Sequence, residues 1–167
     1  MKLEFGPRNT VKLTDARICW RNFKGEGSMY NNEGDRNFSI IIPNAEIAEA
    51  LKNDVNEYGA GWNVKIKAPS QEGDMPFMHL PVKVKYTDRS QPKAGVESGR
   101  NKVRLTEDTI AMLDTIDIKS CEIVLRPYDG EGRFGPHRTA YLQSIYVVQE
   151  IDHFEARFAE EEYPYED

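Results

Sequence analysis

Residues Arg17 to Pro43 read RICWRNFKGEGSMYNNEGDRNFSIIIP. Apolar residues at both ends, Ile18 and then Ile40, Ile41 and Ile42, predict two strands, and Gly25, Gly27 and Gly34 break the middle into a connection. The segment sets Trp20, Phe23, Tyr30 and Phe38 among Arg17, Arg21, Lys24, Arg36 and several asparagines. Two readings of that composition stand. Flat rings and cations beside a glycine-rich connection can hold an unpaired nucleic-acid strand, because rings stack on bases and cations neutralise phosphates. The same residues can equally be an amphipathic hairpin whose rings are core and whose charges are solvated.

Outward from this segment the β pattern continues. Thr10 to Trp20 carries Val11, Leu13, Ala16 and Ile18 and reads as a strand leading into the hairpin. After Pro43, Asn44 is a good N-cap for a helix with Ile47, Ala48, Leu51 and Val55 at helical spacing, closed by Gly59 and Gly61. Trp62 to Lys67 and Phe77 to Tyr86 alternate as strands. Thr87 to Asn101 is polar and bears Gly, Ser and Pro, so it reads as a mobile loop. Thr106 caps a second short helix bearing Ile110, Met112 and Leu113. Ile116 to Tyr128 and Arg138 to Val148 are the longest strands, joined by the tip DGEGRFGP. The sum is a mainly β chain with two short helices, spaced for a small barrel or sandwich of about five to seven strands.

At 167 residues one domain is expected. No apolar run approaches a membrane span, and MKLEFGPRNT lacks a signal core, so no membrane association and a cytoplasmic location are expected. Cys19 and Cys121 are too few and too far apart for a disulfide framework or zinc motif, and both sit in apolar contexts that suit reduced, buried thiols. The net charge of −6 is unevenly placed. Glu155 to Asp167 holds six acids against Arg157 alone, a net of −5, which leaves −1 for the rest. That remainder carries 21 of the 22 Lys and Arg residues. The division expected is therefore a binding domain, 1–154, and an acidic, flexible tail, 155–167. A nearly neutral body can own a basic groove if its charges are sorted by face.

Signals for catalysis are poor. The glycine-rich segments lack the GK[ST] ending of a phosphate-binding loop. His79, His137 and His153 have no ligand spacing, and Asp108, Asp114 and Asp117 read as helix-end charges. No enzyme, metal or cofactor is expected. Binding signals are better. Lys65 and Lys67 share a strand face, as do Lys83 and Lys85, with Val64, Ile66, Val82 and Val84 opposite. With Arg21, Lys24 and Arg36 they can define a groove. The tip DGEGRFGPHR offers Arg133, Phe134 and Arg138, either to clamp a base or as a turn with Phe134 folded back. Phe23, Tyr30 and Phe134 lie in or beside loops and are the stacking candidates, whereas Trp20 and Phe38 lie in strands and read as core. The tail FEARFAEEEYPYED interleaves Phe154, Phe158, Tyr163 and Tyr165 with acids; it can compete for the basic groove, dock a partner, or be simply solvated.

The segments ARICWRNF, GDRNFSIIIP, WNVKIK and RPYDGEGRFGPHRTAYLQSIYV, followed by the acidic tail, together resemble the phage-encoded single-stranded DNA-binding proteins of the OB-fold type. The resemblance spans nearly the whole chain. It implies an OB-fold-like five-stranded barrel with added helices that covers single strands in phage DNA replication, recombination or repair. It further implies that the tail, through Tyr163, Tyr165, Glu166 and Asp167, recruits replication or recombination proteins; such tails often end in an aromatic residue, and this one ends Tyr165-Glu166-Asp167. A homodimer is possible. The competing functions are a protein-interaction module that inhibits or recruits a host or phage protein through its acidic surface, and a nuclease or nucleotide-handling enzyme assembled from distant acids.

Overall fold

The computed structural model describes residues 1–151. The segment 155–167, with Tyr163, Tyr165, Glu166 and Asp167, lies outside the described residues. In chain order the elements are β1 (Lys2–Phe5), β2 (Val11–Thr14), β3 (Arg17–Asn22), β4 (Arg36–Ile42), α1 (Ala45–Asn53), β5 (Lys65–Lys67), β6 (Phe77–Val84), β7 (Lys93–Ser98), β8 (Asn101–Leu105), β9 (Ile118–Gly132) and β10 (Gly135–Gln149). Two 3-10 turns, Pro7–Asn9 and Ile110–Asp114, complete the described part.

The period of β4 shows how the core forms. Phe38, Ile40 and Ile42 are buried, and across the antiparallel ladder they meet Val82, Leu80 and Met78 of β6. Val11 and Leu13 of β2, Ile123 and Leu125 of β9, and Ala140, Leu142, Ile145 and Val147 of β10 fill the same interior. The strands run in the order β1-β2-β9-β10-β6-β4-β3, with β6 and β10 parallel and the other neighbours on that path antiparallel. The ladder does not close. Yet β2 and β3, near its two ends, are consecutive in the chain and separated only by Asp15 and Ala16. Asp15 turns in the left-handed region (φ 56°), and the Ala16 amide donates to the Cys121 carbonyl at 2.8 Å. One covalent strand, kinked at Asp15, thus bridges the two margins of an OB-like β fold.

The mainly β expectation is met, with differences of detail. Strand Thr10–Trp20 is two strands because of the Asp15 turn. The first helix is capped as expected, Asn44 Oδ1 accepting from the Ile47 amide at 2.9 Å, but it ends at Asn53, and Val55 is exposed. The second helix is the 3-10 turn Ile110–Asp114. The polar stretch 87–101 is not simply a loop: it holds β7 and leads through a Gly99 turn (φ 60°) into β8. Its two buried residues there, Ala94 and Val96, are too few to stand out beside Lys93, Gly95, Glu97 and Ser98. β1 also escaped the sequence reading, being short and mostly exposed. Cys121 is buried, which pushes its thiol up to about 12, whereas Cys19 is only half-buried.

After α1 the chain doubles back so tightly that a Cβ on Gly61 would lie 2.0 Å from the Lys52 carbonyl oxygen. Backbone atoms there cannot rotate away. Gly61→Ala will therefore destabilise the fold by about 3 kcal/mol, the upper end of the usual overpacking cost; a melting curve superimposable on that of the parent chain would refute this.

Candidate nucleic-acid interface

The feature that builds the site is a β-bulge. Cys19 pairs with Ser39 and Asn22 with Asn37, so β3 advances three residues where β4 advances two. Trp20 takes up the extra residue with a left-handed backbone (φ 49°). A bulge re-aims side chains. In an uninterrupted strand Trp20 would share the inward face of Ile18; here it is 57% exposed on the outside, correcting the expectation that it is core. Its ring meets Phe77 (5.4 Å between centroids, 65°) and His79 (4.8 Å, 88°) edge-on. Phe77 and His79 are two apart on β6 and lie roughly parallel, 5.7 Å apart.

Register places cations around this cluster. Lys65 of β5 stands opposite His79, and Lys67 opposite Phe77. Both lysines are exposed, as is Ile66, so β5 lacks the buried face that alternation predicts. Burial first, and then the charges of Lys65 and Lys67, hold the His79 imidazole below its ordinary value. Its Nδ1 lies 3.1 Å from Ser39 Oγ. At neutral pH His79 is thus an uncharged flat ring flanked by ammonium groups. A groove of about 550 Å³ runs beside the cluster, lined by Trp20, Phe77, Ile41, Lys67, Pro69 and Met75.

A second cluster lies farther across the same outer face. Tyr141 of β10 is in register with Lys83 of β6 and with Arg126 of β9. Tyr128 stacks on Tyr141 (5.3 Å, 8°) and lies near-parallel to His137 (6.3 Å, 23°), and the Arg126 guanidinium sits 4.9 Å from the Tyr141 ring centroid. Lys83, exposed between Asn37 and Tyr141, links the two clusters. From His79 to Lys83 is about 13 Å along the strand. At the hairpin tip beyond Tyr128, Phe134 is 97% exposed, with Arg133 5.8 Å from its ring; it is not folded back.

The residues proposed from sequence divide in two. Lys24, Tyr30, Lys65, Lys67, Lys83, Lys85, Arg133 and Phe134 are exposed and free to meet a ligand. Four others are structural. Phe23 is fully buried and stacks on Phe38 (4.8 Å, 21°), so it cannot stack on a base. Arg138 is 2% exposed. It grips Asp129 through Nε (2.8 Å) and Nη2 (3.1 Å), donates to the Asp54 carbonyl and lies over Trp62. Arg21 donates to the carbonyls of Leu113 and Ile116, pinning the 3-10 turn to β3. Arg36 donates to the Phe23 carbonyl at 2.6 Å and lies 5.6 Å from the centre of the Tyr86 ring. The connection 23–35 is itself ordered by asparagines: Asn31 Nδ2 donates to the carbonyls of Glu26, Asn32 and Asp35, leaving Tyr30 at the tip, 93% exposed. The residues the sequence reading missed are Trp20, Phe77, His79, Arg126, Tyr128, His137 and Tyr141. Strand alternation was the available signal for Tyr128 and Tyr141, both two residues from a charged or polar outward neighbour; the bulge at Trp20 had none.

A face of exposed rings spaced by cations is what a single strand needs, and comparison with known proteins points the same way. The family model for the phage ssDNA-binding domain matches residues 3–167. The chain belongs to this family. No curated protein matches the chain. Among solved structures, the single-stranded DNA-binding protein from bacteriophage Enc34 is similar to it. The C-terminally truncated form has a TM-score of 0.53 at 14% identity, covering 90% of this chain and 97% of that one. A second structure of that protein has a TM-score of 0.51 at 16% identity, covering 91% of this chain and 92% of that one. These likenesses establish a shared fold. Among the described residues, no helix of this family member is long and apolar enough to cross a membrane.

Proposed function

We propose that this chain binds single-stranded DNA without regard to sequence, on the outer face that β3, β4, β6, β10 and β9 share. The observation that carries the reading is the pair of aromatic clusters, Trp20–Phe77–His79 and Tyr128–Tyr141–His137, joined by Lys83 and bordered by Lys65, Lys67 and Arg126. Every base has a π-face, so stacking on these rings is sequence-tolerant. The lysines act as point charges on phosphates. Tyr30 and Phe134, at the ends of two glycine-bearing connections, extend the face at its margins. The role is that of a coat for single strands in phage DNA replication, recombination or repair within the host cytoplasm, with no chemistry performed on the strand. The C-terminal segment, through Tyr163, Tyr165, Glu166 and Asp167, would recruit replication or recombination proteins; its concentration of six acids against one base supports this.

Anisotropy titration with labelled oligo-dT, beside a duplex of equal length, tests the reading. Single strands will bind more tightly, because duplex bases are already stacked on one another. Replacing Lys65, Lys67, Lys83 and Lys85 together by Ala will lower the slope of log affinity against log salt by up to about 2.8, at about 0.7 per phosphate contact. Melting will change by less than about 0.5 kcal/mol, since all four lysines are exposed. Equal affinity for duplex and single strand, or a salt slope unmoved by the quadruple change, sinks the assignment.

A further inference from the structure

The outer face does not stop at Tyr141. Leu142 pairs with Leu125 and Ser144 with Val124, so Gln143 is an extra residue in β10, and the strand keeps its facing beyond it. Ser144 and then Tyr146 therefore rise on the side of Tyr141, as Val124 and Glu122 do on the side of Arg126. Beside them β7 lies parallel to β10, with Lys93 opposite Ser144 and Gly95 opposite Tyr146. β8 puts Arg104 opposite Gly95. Together they border an open groove of about 490 Å³.

Three details give this groove a chemistry. Tyr146 is 39% exposed and lies against Gly95, where an added Cβ would sit 3.3 Å from the ring. The glycine makes room for the ring to lie against the β7 backbone. Lys93 and Arg104 are exposed and make no ion pair among the described residues. The groove's acid, Glu122, is bound to Lys12 at 2.9 Å, and the neighbouring Glu97 to Lys102 at 3.6 Å. The acids are thus neutralised and two cations are left over in the groove that a flat ring lines.

We propose that this groove is a second single-stranded DNA segment of the site, holding a later part of the same strand, with Tyr146 stacked on a base and Lys93 and Arg104 on phosphates. The proposal rests on the reading above for the first segment. With Gln143 bulged out, Tyr141 to Tyr146 spans the same four residues as Arg126 to Glu122 on β9, about 13 Å of strand, too far for one nucleotide to touch both rings, so the groove adds length to the site. Charge favours a polyanion as the occupant, and the continuity of rings along β10 favours an unpaired one.

Oligo-dT of about 6 nucleotides, near the lower end of the usual 4–16 nucleotides per OB fold, and of about 20, beyond its upper end, separates the two segments. The full chain and two variants, Lys93→Ala/Arg104→Ala and Tyr146→Ala, are titrated with both at several salt concentrations, and melting is recorded. On the long oligonucleotide the double variant will lose tenfold or more in affinity, and its salt slope will fall by about 1.4, two contacts at about 0.7 each. Tyr146→Ala will lose about fivefold or more, while its salt slope stays unchanged. On the short one both variants will bind as the parent does. Unchanged long-oligonucleotide affinity in folded variants overturns the proposal, as do equal losses at both lengths. Tighter binding also overturns it, being the result if the cations hold the chain's own acidic C-terminal segment. Failure of the parent chain to bind the short oligonucleotide at low salt counts against the first segment instead.

Discussion

A chain carrying Trp20→Ala and Tyr128→Ala will stay folded and bind oligo-dT at least thirtyfold more weakly. Each ring belongs to a different aromatic cluster, and base–aromatic stacking contributes about 1–3 kcal/mol per base. Sites this far apart, with no shared partner, add nearly independently. The combined loss is about 2–6 kcal/mol, and each 1.4 kcal/mol is about tenfold in affinity. Stability should hardly move, because Trp20 is 57% and Tyr128 54% exposed. Phe23→Ala is the internal contrast. That ring is fully buried against Phe38, so its removal will cost about 3–5 kcal/mol of stability while leaving the binding face in place. Anisotropy and melting on the same samples separate the two behaviours. Near-parental affinity in the double variant, with an unchanged melting curve, would remove the aromatic face from the mechanism.

The other large effect belongs to Arg138. Arg138→Met keeps most of the side-chain length but removes the guanidinium that ties Asp129, the Asp54 carbonyl and Trp62 together. Losing one member of a buried ion pair costs about 3–5 kcal/mol. Here the abandoned acids are a quarter exposed and can draw water, so the lower end, about 3 kcal/mol, is expected. For a domain of this size that is about 6–12 °C in melting temperature. Acid sensitivity gives an independent signature. Burial alone would raise the Asp129 carboxyl, but hydrogen bonds from Arg138 and Asn56, with the charges of Arg138 and His137, outweigh it and hold the group below its ordinary value. A carboxyl depressed in the folded state contributes stability above its unfolded value, about 3.9, and loses that contribution as pH falls through the folded value. The parent chain will therefore lose stability on that acidic side, and Arg138→Met will lose less. DNA binding at a temperature where the variant is folded should keep the parental salt slope, since Arg138 does not face the strand. A lowered salt slope would return Arg138 to the binding face.

Sequence and tertiary structure each determined a separate part of this protein. The β4 triad Phe38, Ile40 and Ile42, the Asn44 cap and the long β9–β10 hairpin are written in alternation and local capping chemistry, which act between near neighbours and can be read without knowing the fold. The exposed lysines 83 and 85 are legible for the same reason: a strand has only two faces, and the apolar residues of β6 claim one. Alternation also places Lys65 and Lys67 outward, but the buried face it assigns to Ile66 does not exist, since all of β5 is exposed. Charge was legible too, because the acids gathered after Glu155 left the body able to carry cations on one face. What an aromatic or an arginine does was not legible, because both residue types serve core and surface equally well. Phe23 and Trp20 are three residues apart, and their roles are the reverse of those that loop and strand position suggest. A single extra residue in β3, visible only against the register of β4, turns Trp20 outward. Arg138 differs from Arg133 only in that the fold brings Asp54 and Asp129 to it, from 84 and 9 residues away. The binding face itself joins β3, β6 and β9–β10, segments about 60 residues apart in sequence, and such a juxtaposition exists only once the strands have paired.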